Sequence, residues 1–415
     1  MKKIFALFFT VALVASCSEF KEFLPDDALV LESVTPQKVK TSDHSIVINI
    51  EVDADEYEHM YENYYSQIDV YGTMTLYRDQ EAVFESQNTR FRIKGGASRT
   101  YELKSLGIRF ENPVSNGGKN LLNPPNMLPF HSLENIKSLR LRNSGNDFNN
   151  ERNATMIKDI SYTQLAIEAG LDIDLMYSEQ AAVFLNEQFL GVLNLRSESN
   201  SRGIGHLYNT THENVTLAKI SPTEDGIFVE KQDGDYQRID NLLNAIESRN
   251  VNYLKNQVDL GNFIDYVIFQ TYIANRDWPH NNVKLFAIGS GKFRFFMFDL
   301  DHSNISHHTR DPVEFLTRSR KNPVGDLFFA LYEEDNTFRE SFYDRYQYLL
   351  KEGYLSSQRF REITGAYYKN IEHIMPLHIA KYNQPTAMAE WYRNVELLNV
   401  YFERRERFVK NVMLE

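Results

Sequence analysis

Two aspartates and an asparagine, placed on either side of an apolar hairpin-like segment, are the residues of this chain best suited to chemistry. Asn282 follows Asp277 by five residues, and an apolar run that begins at residue 293 ends at Asp299. In phosphoryl transfer, one carboxylate accepts or orients the proton of the attacking hydroxyl, while an amide oxygen and a second carboxylate hold the magnesium ion that neutralises the phosphates. The residue types therefore indicate Asp277 as a base and Asn282 and Asp299 as magnesium ligands.

The elements predicted around these residues would bring them together. Residues 283–288 and 293–298 are apolar runs joined by a Gly-Ser-Gly-Lys segment, which predicts a β-hairpin. A strand rises about 3.3 Å per residue, so two runs of equal length return the chain to its starting point. We therefore expect Asp299 to lie near Asn282.

A simpler interpretation is that Asp and Asn occur at strand ends because they cap and turn. It explains Asp277 or Asn282 alone, but less well the combination with two matched strands. A predicted helix over residues 259–275 would place Asp277 in a loop just beyond its end. Asp301 would point to the other side if the strand continued, which makes it a candidate ligand of a second metal ion or a supporting residue.

A glycine turn in the N-terminal half could hold nucleotide phosphates. Lys94 is followed by Gly95 and Gly96, and Ser98 and Lys104 lie a few residues further on. Glycines let backbone amides approach phosphate oxygens closely, and a lysine after such a turn can bridge two phosphates. Neither the P-loop pattern nor the glycine-rich loop pattern of protein kinases is present. The turn is therefore a candidate nucleotide site, although a glycine pair taken alone is more often an ordinary turn than a phosphate site.

The pattern along the chain changes from strands to helices. Period-two alternation and turn residues predict strands at 45–52, 72–77, 89–94, 106–110, 136–141, 181–184 and 189–195. Apolar spacing of about 3.6 residues predicts helices at 152–169, 240–248, 259–275, 338–350, 358–374 and 391–413. Residues 112–129 are predicted to form a loop, and residues 199–235 indicate strands or helices only weakly. This order predicts an α+β fold with two lobes, a sheet-rich N-terminal lobe over 29–198 and a mainly helical C-terminal lobe over 199–415.

The N-terminus predicts export and a lipid anchor. Two lysines precede an apolar run over residues 4–15 that is too short to span a bilayer, as in a signal peptide. Small residues before Cys17 resemble a bacterial lipoprotein processing box, so residues 1–16 are the expected signal peptide and Cys17 the expected site of lipidation. Residues 17–28 read as a polar tether. Cys17 is the one cysteine of the chain, so an intrachain disulfide is excluded.

Composition limits the class of partner. The hydrophobic content is 42% of 415 residues, with 28 Phe and 24 Tyr, which is typical of a globular protein. The formal net charge of −12 argues against nucleic acid as a partner. Any nucleotide phosphate must therefore be bound locally, by lysine, backbone amides and a metal ion.

Taken together, these motifs resemble the CotH-type kinases, a family named for spore-coat protein H with an atypical kinase-like fold. The resemblance is carried by 94–98 with Lys104, by 139–143, 186–193 and 262–266, by Asp277 with Asn282, and by 298–301. It implies that Lys104 contacts phosphates, that Asp277 is the catalytic aspartate, and that Asn282 and Asp299 bind Mg²⁺. Glu198 falls where the family has a glutamate near the nucleotide. The chain departs from the family at the glycine turn, where Lys94 replaces an arginine and Gly96 an asparagine, so a bidentate grip on phosphate is lost.

Three other interpretations remain open at this stage. A haloacid-dehalogenase-type phosphatase would use Asp299 as nucleophile and Asp301 as acid, but its fold requires alternating strands and helices after that motif. A catalytically inactive, kinase-like surface-binding lipoprotein would keep the fold and lose transfer. A zinc site at His302, His307 and His308 has no supporting cysteine or carboxylate spacing.

The expectation from sequence is therefore an exported, lipid-anchored kinase of the bacterial cell envelope that uses ATP and Mg²⁺ and phosphorylates Ser or Thr of a protein. The acceptor, the membrane leaflet and the oligomeric state do not follow from the sequence.

Overall fold

A computed structural model describes most of the chain from residue 34 onwards. The described residues are 34–42, 45–114, 121–122, 124, 126–148, 153–224, 226–303, 308–317 and 322–414. The expected signal peptide 1–16, Cys17, the tether 17–28 and His307 lie outside them. Within these ranges, no helix has both the length and the apolar character needed to cross a membrane.

The described residues form two sheets. The strands are β1 (Ser45–Val52), β2 (Val70–Arg78), β3 (Glu81–Lys94), β4 (Ser105–Val114), β5 (Ile136–Arg142), β6 (Asp174–Leu175), β7 (Ser178–Leu185), β8 (Gln188–Arg196), β9 (Val215–Thr223), β10 (Gly226–Asp233), β11 (Val283–Ile288) and β12 (Arg294–Met297). Seven strands close into a barrel in the order β1-β2-β3-β4-β5-β8-β7. The second sheet has the order β10-β9-β11-β12-β6.

Helices pack against both sheets. They are α1 (Ala54–Glu62), α2 (Lys158–Glu168), α3 (Ser201–Leu207), α4 (Tyr236–Glu247), α5 (Val251–Gln257), α6 (Leu260–Tyr272), α7 (Pro312–Thr317), α8 (Pro323–Glu334), α9 (Asn336–Lys351), α10 (Ser357–Ile371), α11 (Met375–Tyr382) and α12 (Met388–Leu414). Most of α6 is buried, and Asp259 caps its first turn by accepting a hydrogen bond from the Asn262 amide. This cap fixes where α6 begins, and α6 leads into the segment that carries Asp277.

Side-chain alternation in the barrel separates an apolar interior from a charged outer face. On β5, Leu139 and Leu141 are fully buried, whereas Arg140 and Arg142 point to the other side. β8 repeats the pattern, because Leu193 and Leu195 join the core. The charged residues of the candidate site therefore stand on the outside of the barrel wall.

The mixed α+β fold and most of the predicted elements are confirmed. β1, β2, β5, β7, β8 and the β11–β12 hairpin lie where the alternation predicts them. Two expectations need correction. The predicted helix 152–169 begins only at Lys158, and the weak segment 199–235 forms α3, β9 and β10. The C-terminal half is therefore less uniformly helical than expected, since it supplies four strands of the second sheet, and β6 joins them from the N-terminal half.

Candidate active site

The loop that carries Asp277 is held in place by buried polar side chains. Asn275 is buried, donates to the Gln270 side chain at 3.0 Å and accepts the Asp277 backbone N–H at 3.1 Å. The indole of Trp278, also buried, donates to the Tyr266 hydroxyl at 3.0 Å. Because both flanks of Asp277 are fixed, its carboxylate has a defined position while remaining partly exposed.

The Asp277 carboxylate has one occupied and one open oxygen. Oδ2 accepts hydrogen bonds from Asn281 Nδ2 at 3.0 Å and Asn282 Nδ2 at 2.9 Å. Oδ1 lies 3.9 Å from His280 Nε2. The amide nitrogen of Asn282 donates to Asp277. Its amide oxygen accepts no hydrogen bond from the described residues. Neither oxygen is taken by a donor from the described part of the chain; the Asp277 side chain is 31% exposed, whereas Asn282 is only 8% exposed.

The hairpin leads to Asp299 as the sequence predicts. β11 and β12 pair with Lys284 opposite Phe296. Continuing this register by two residues sets Asn282 opposite Phe298, the residue before Asp299. Beyond the hairpin, the Arg276 N–H donates to the His302 carbonyl at 3.4 Å, and Asn275 forms an isolated bridge with Ser303. The Asp277 loop therefore runs beside the segment that contains Asp299.

Asp299 and Asp301 lie in different environments. Both contact the guanidinium of Arg142. The Asp301 side chain is only 2% exposed and accepts from the Asn146 backbone N–H at 3.0 Å and the Asn146 side chain at 3.2 Å. The Asp299 side chain is 28% exposed. Asp301 is thus occupied by protein donors, and Asp299 is the carboxylate that can offer an oxygen to a ligand.

A buried aspartate that the sequence analysis did not single out supports this arrangement. Asp159, in the first turn of α2, accepts from Arg196 at 2.8 Å, from the Leu300 backbone N–H at 3.2 Å, and lies 3.0 Å from Arg142 Nε. Burial alone would raise the pKa of Asp159, but the two arginines and the amide outweigh burial and hold the pKa below its ordinary value. No local pattern could have revealed Asp159, because its partners are distant in sequence.

The same environment acts differently on Asp301. Burial, followed by the neighbouring Asp299 carboxylate, raises the pKa of Asp301 to about 7. Two arginines face three carboxylates in this cluster, so the Asp299 end of the site carries an excess of negative charge.

A magnesium ion fits this end of the site only as a sparsely liganded ion. In the part of the chain that the structure describes, no group of three or more Asp, Glu, His or Cys side chains could hold a metal ion. Asn282 and Asp299 would therefore supply two oxygens, and phosphate oxygens and water the others, which is the usual way in which Mg²⁺ is bound beside a nucleotide. His302 and His308 are among the described residues, and they belong to no such group, so the zinc interpretation gains no support from them.

The outer face of the barrel carries positive charge, in contrast to the negatively charged Asp299 end of the site. Arg92, Gly107, Arg140 and Arg196 stand in one cross-strand row over β3, β4, β5 and β8. A Cβ at Gly107 would lie 2.8 Å from Lys94 Cε, so the missing side chain lets Lys94 lie across the row. This places the Lys94 ammonium towards the middle of the face.

Glu198 is the centre of a second charged cluster. It accepts a hydrogen bond from Arg140 at 2.8 Å. Burial lowers the pKa of Lys94, and the nearby Glu198 carboxylate offsets only part of that decrease. Lys284, two residues after Asn282, donates to the Ser199 carbonyl and hydroxyl at 2.7 and 2.9 Å. Burial lowers the pKa of Lys284 to about 7, with Arg140 as the next cause. Three basic residues surround one carboxylate, so this end of the site attracts anions.

The glycine turn is formed as expected, but the Lys104 ammonium is bonded to the turn itself. Gly95 has φ 131°, and a Cβ there would lie 2.5 Å from Ser98 Oγ, whereas a Cβ at Gly96 meets no atom within 4 Å. The buried Lys104 ammonium donates to the carbonyls of Arg99 and Tyr101 at 2.8 and 3.0 Å. It also lies 4.4 Å from the rings of Tyr61 and Tyr64. This geometry assigns Lys104 to holding the turn, and Lys94 becomes the better candidate for phosphate.

A model of the family described as CotH kinase protein matches residues 91–409. The chain belongs to the CotH kinase protein family. The match begins in β3 and ends in α12, so it contains every candidate residue from Lys94 to Asp301 and leaves Cys17 outside. Comparison with curated proteins gives no match.

Membership of the CotH kinase family suggests atypical protein kinase activity, and with it the general use of ATP and magnesium. The dehalogenase-type interpretation does not fit this family or the fold. In the described part of the chain after Asp301, α7 to α12 follow one another with no strand between them.

Proposed function

We propose that this protein is a magnesium-dependent kinase that transfers the γ-phosphoryl group of ATP to a Ser or Thr hydroxyl of a protein. The observation that carries the proposal is the geometry of Asp277 and Asn282. One carboxylate oxygen is fixed by two amides, the other is open, and the Asn282 amide oxygen is left free beside it. A positioned base next to a free metal-ligand oxygen is the arrangement that phosphoryl transfer needs.

The distribution of charge supports the orientation of ATP. Phosphate oxygens belong near Lys94, Arg140 and Lys284, where positive charge exceeds the single carboxylate of Glu198. Asp299 and Asn282 belong beside the β- and γ-phosphates. Magnesium bound there would supply charge neutralisation of these phosphates.

The roles of the protein groups follow from their contacts. The open oxygen of Asp277 accepts the hydrogen bond of the incoming hydroxyl and orients its lone pair towards the γ-phosphorus. Asn281 and Asn282 keep the carboxylate from rotating away. The amides of the turn at Gly95 and Gly96 cover the phosphates and exclude water from the transferred group.

Export and anchoring complete the proposal. The apolar run at residues 4–15 and the small residues before Cys17 support cleavage after residue 16 and lipidation of the thiol. The kinase would then face the cell envelope from a lipid anchor, joined through the tether 17–28.

A second function is favoured by one specific contact. The Arg142 guanidinium binds Asp299, the carboxylate on which magnesium depends. If that contact persists when nucleotide is bound, the protein is a kinase-like binder that holds nucleotide without transferring phosphate.

The test uses the purified chain, radiolabelled ATP and an extract of the source cells as acceptor. Asp277→Asn should keep magnesium-dependent ATP binding and lose transfer by about 10²–10⁴-fold, whereas Asp299→Ala should lose both. Asp55→Asn, an equal change at an exposed position of α1, is the matched control. Equal transfer by the wild type and Asp277→Asn rejects the kinase proposal, and binding without transfer by the wild type supports the second function.

A further inference from the structure

Part of the charged outer face of the barrel lies beyond the groups assigned to the nucleotide. Arg90 and Arg109 are directly opposite each other on β3 and β4. Arg202, exposed on α3, lies near enough to lower the pKa of Arg109 further, after burial and Arg90. We refer to Arg90, Arg109 and Arg202 as the outer arginine patch.

The outer arginine patch has too few counter-charges within the protein. Asp69 binds Arg90 at 3.1 Å, but it is shared with Arg92, which it binds at 2.5 Å. Among the residues that the structure describes, Arg109 and Arg202 have no carboxylate within ion-pair distance. Asp69 acts on Arg109 and Glu213 acts on Arg202 only over a longer range. Like charges placed opposite each other in a sheet are destabilising. The patch therefore has a surplus of positive charge that an external anion would relieve.

This local surplus of positive charge contrasts with the formal net charge of −12 of the whole chain. Guanidinium groups bind carboxylates in a bidentate manner. A peptide with Asp or Glu side chains at regular spacing can therefore bind several of these arginines at once. The patch is bordered by Tyr71, which is 58% exposed and stands opposite Arg90 on β2. An exposed aromatic ring beside arginines is typical of a protein-binding surface.

We propose that the outer arginine patch binds an acidic segment of a partner polypeptide in an extended conformation. The Arg90 side chain is 29% exposed and stands beside the 58% exposed ring of Tyr71, so a guanidinium and an aromatic ring are both accessible to a peptide. The patch is also close to Lys94, the candidate phosphate-binding residue. Arg90 precedes Lys94 by four residues on the same strand, or about 13 Å, so a bound segment can place neighbouring residues at the site.

This inference goes beyond the proposed kinase reaction and does not depend on it, because binding is measured without nucleotide. The probe is a short, fluorescently labelled polyglutamate peptide, with a polyglutamine peptide of equal length as the neutral probe. The purified chain should bind polyglutamate in preference to polyglutamine, and binding should weaken as ionic strength rises. Arg109→Gln should weaken polyglutamate binding about fivefold, and Arg109→Glu at least about tenfold.

Two further variants keep the test decisive. Arg202→Gln alters an exposed helical residue and should weaken binding even if changes on β4 disturb folding. Lys351→Gln removes the same charge from an exposed position of α9, where the ammonium contacts only Gln347 in the described structure, and should leave binding unchanged. Equal effects of Arg202→Gln and Lys351→Gln would overturn the proposal.

Competition distinguishes other anions from an acidic peptide. Inorganic phosphate and ATP should not displace polyglutamate from the wild type at concentrations that saturate the nucleotide site. Displacement by either would assign the patch to the nucleotide site instead. Retention by vesicles of anionic phospholipid that is lost in Arg109→Glu, with polyglutamate binding unchanged, would show a lipid-binding surface and would equally overturn the proposal.

Discussion

The side-chain amide of Asn282 donates a 2.9 Å hydrogen bond to Oδ2 of Asp277. This single contact orients two groups, because it holds the carboxylate and at the same time turns the amide oxygen of Asn282 away from it. The neighbouring Asn281 makes a similar bond of 3.0 Å to the same oxygen. The two asparagines therefore share one task, and only Asn282 has the additional role of a proposed magnesium ligand.

The first prediction separates these two roles. Asn282→Ala should raise the magnesium concentration needed for half-maximal transfer by about tenfold or more, since it removes a proposed ligand oxygen. Asn281→Ala is the matched control, because it removes a hydrogen bond to the same Asp277 oxygen and should leave the magnesium requirement unchanged. Initial rates measured over a magnesium titration give both values. Equal magnesium requirements in the two variants would refute the ligand role of Asn282.

The second prediction compares Lys94 and Lys104, the two lysines proposed from sequence for the nucleotide site. Lys94→Met should raise the KM for ATP with little change in the free energy of unfolding, because its ammonium lies in the cationic cluster around Glu198. Lys104→Met should instead lower the free energy of unfolding by about 1–3 kcal/mol, as it loses two carbonyl contacts and two aromatic rings. Steady-state kinetics and urea unfolding check the pair. The reverse outcome would restore Lys104 as the phosphate ligand.

The third prediction tests the glycine turn with two neighbouring residues. Gly95→Ala should weaken ATP binding, because its φ of 131° and its close approach to Ser98 leave no room for a methyl group. Gly96→Ala meets no atom within 4 Å and should have the smaller effect. Isothermal titration with ATP and magnesium measures the difference. If the two variants bind ATP equally well, the conformation of the turn does not determine affinity.

The parts of the site that the sequence predicts are those formed by residues close together in the chain. Asp277 and Asn282 lie in one loop, and the hairpin that leads to Asp299 is encoded by two apolar runs and a glycine-containing turn. Their geometry depends on local backbone preferences, which residue types reveal. The same reasoning located the turn at Gly95, because glycine spacing is a local signal as well.

The remaining contacts join residues far apart in the chain. Arg142 reaches Asp299 across 157 residues, and Lys284 reaches Ser199 across 85. Periodicity predicts that Arg142 faces outwards from β5 but not which carboxylate it meets. For the same reason β9 and β10 were missed, since β9 is held by its pairing with the distant β11 and, among the described strands, β10 pairs only with β9. Local sequence also could not show that the Lys104 ammonium is enclosed, because the tyrosines that surround it come from α1 and the residues just after α1.

The fourth prediction concerns His378, a buried histidine of α11 that joins the C-terminal helices to the barrel. Its Nδ1 accepts the Val192 backbone N–H at 3.2 Å, and burial lowers the pKa of His378 to about 3. Its pKa in the unfolded chain is about 6.5, so the unfolded state binds more protons between these values and stability falls as the pH decreases through this window. The loss from pH 7.5 to pH 5 should be about 2 kcal/mol for this group alone. His378→Gln keeps an acceptor for the Val192 amide and does not titrate, so its free energy of unfolding should fall by about 2 kcal/mol less than that of the wild type over the same range. Urea unfolding at several pH values measures this difference, and parallel pH dependences would show that folding does not shift the pKa of His378.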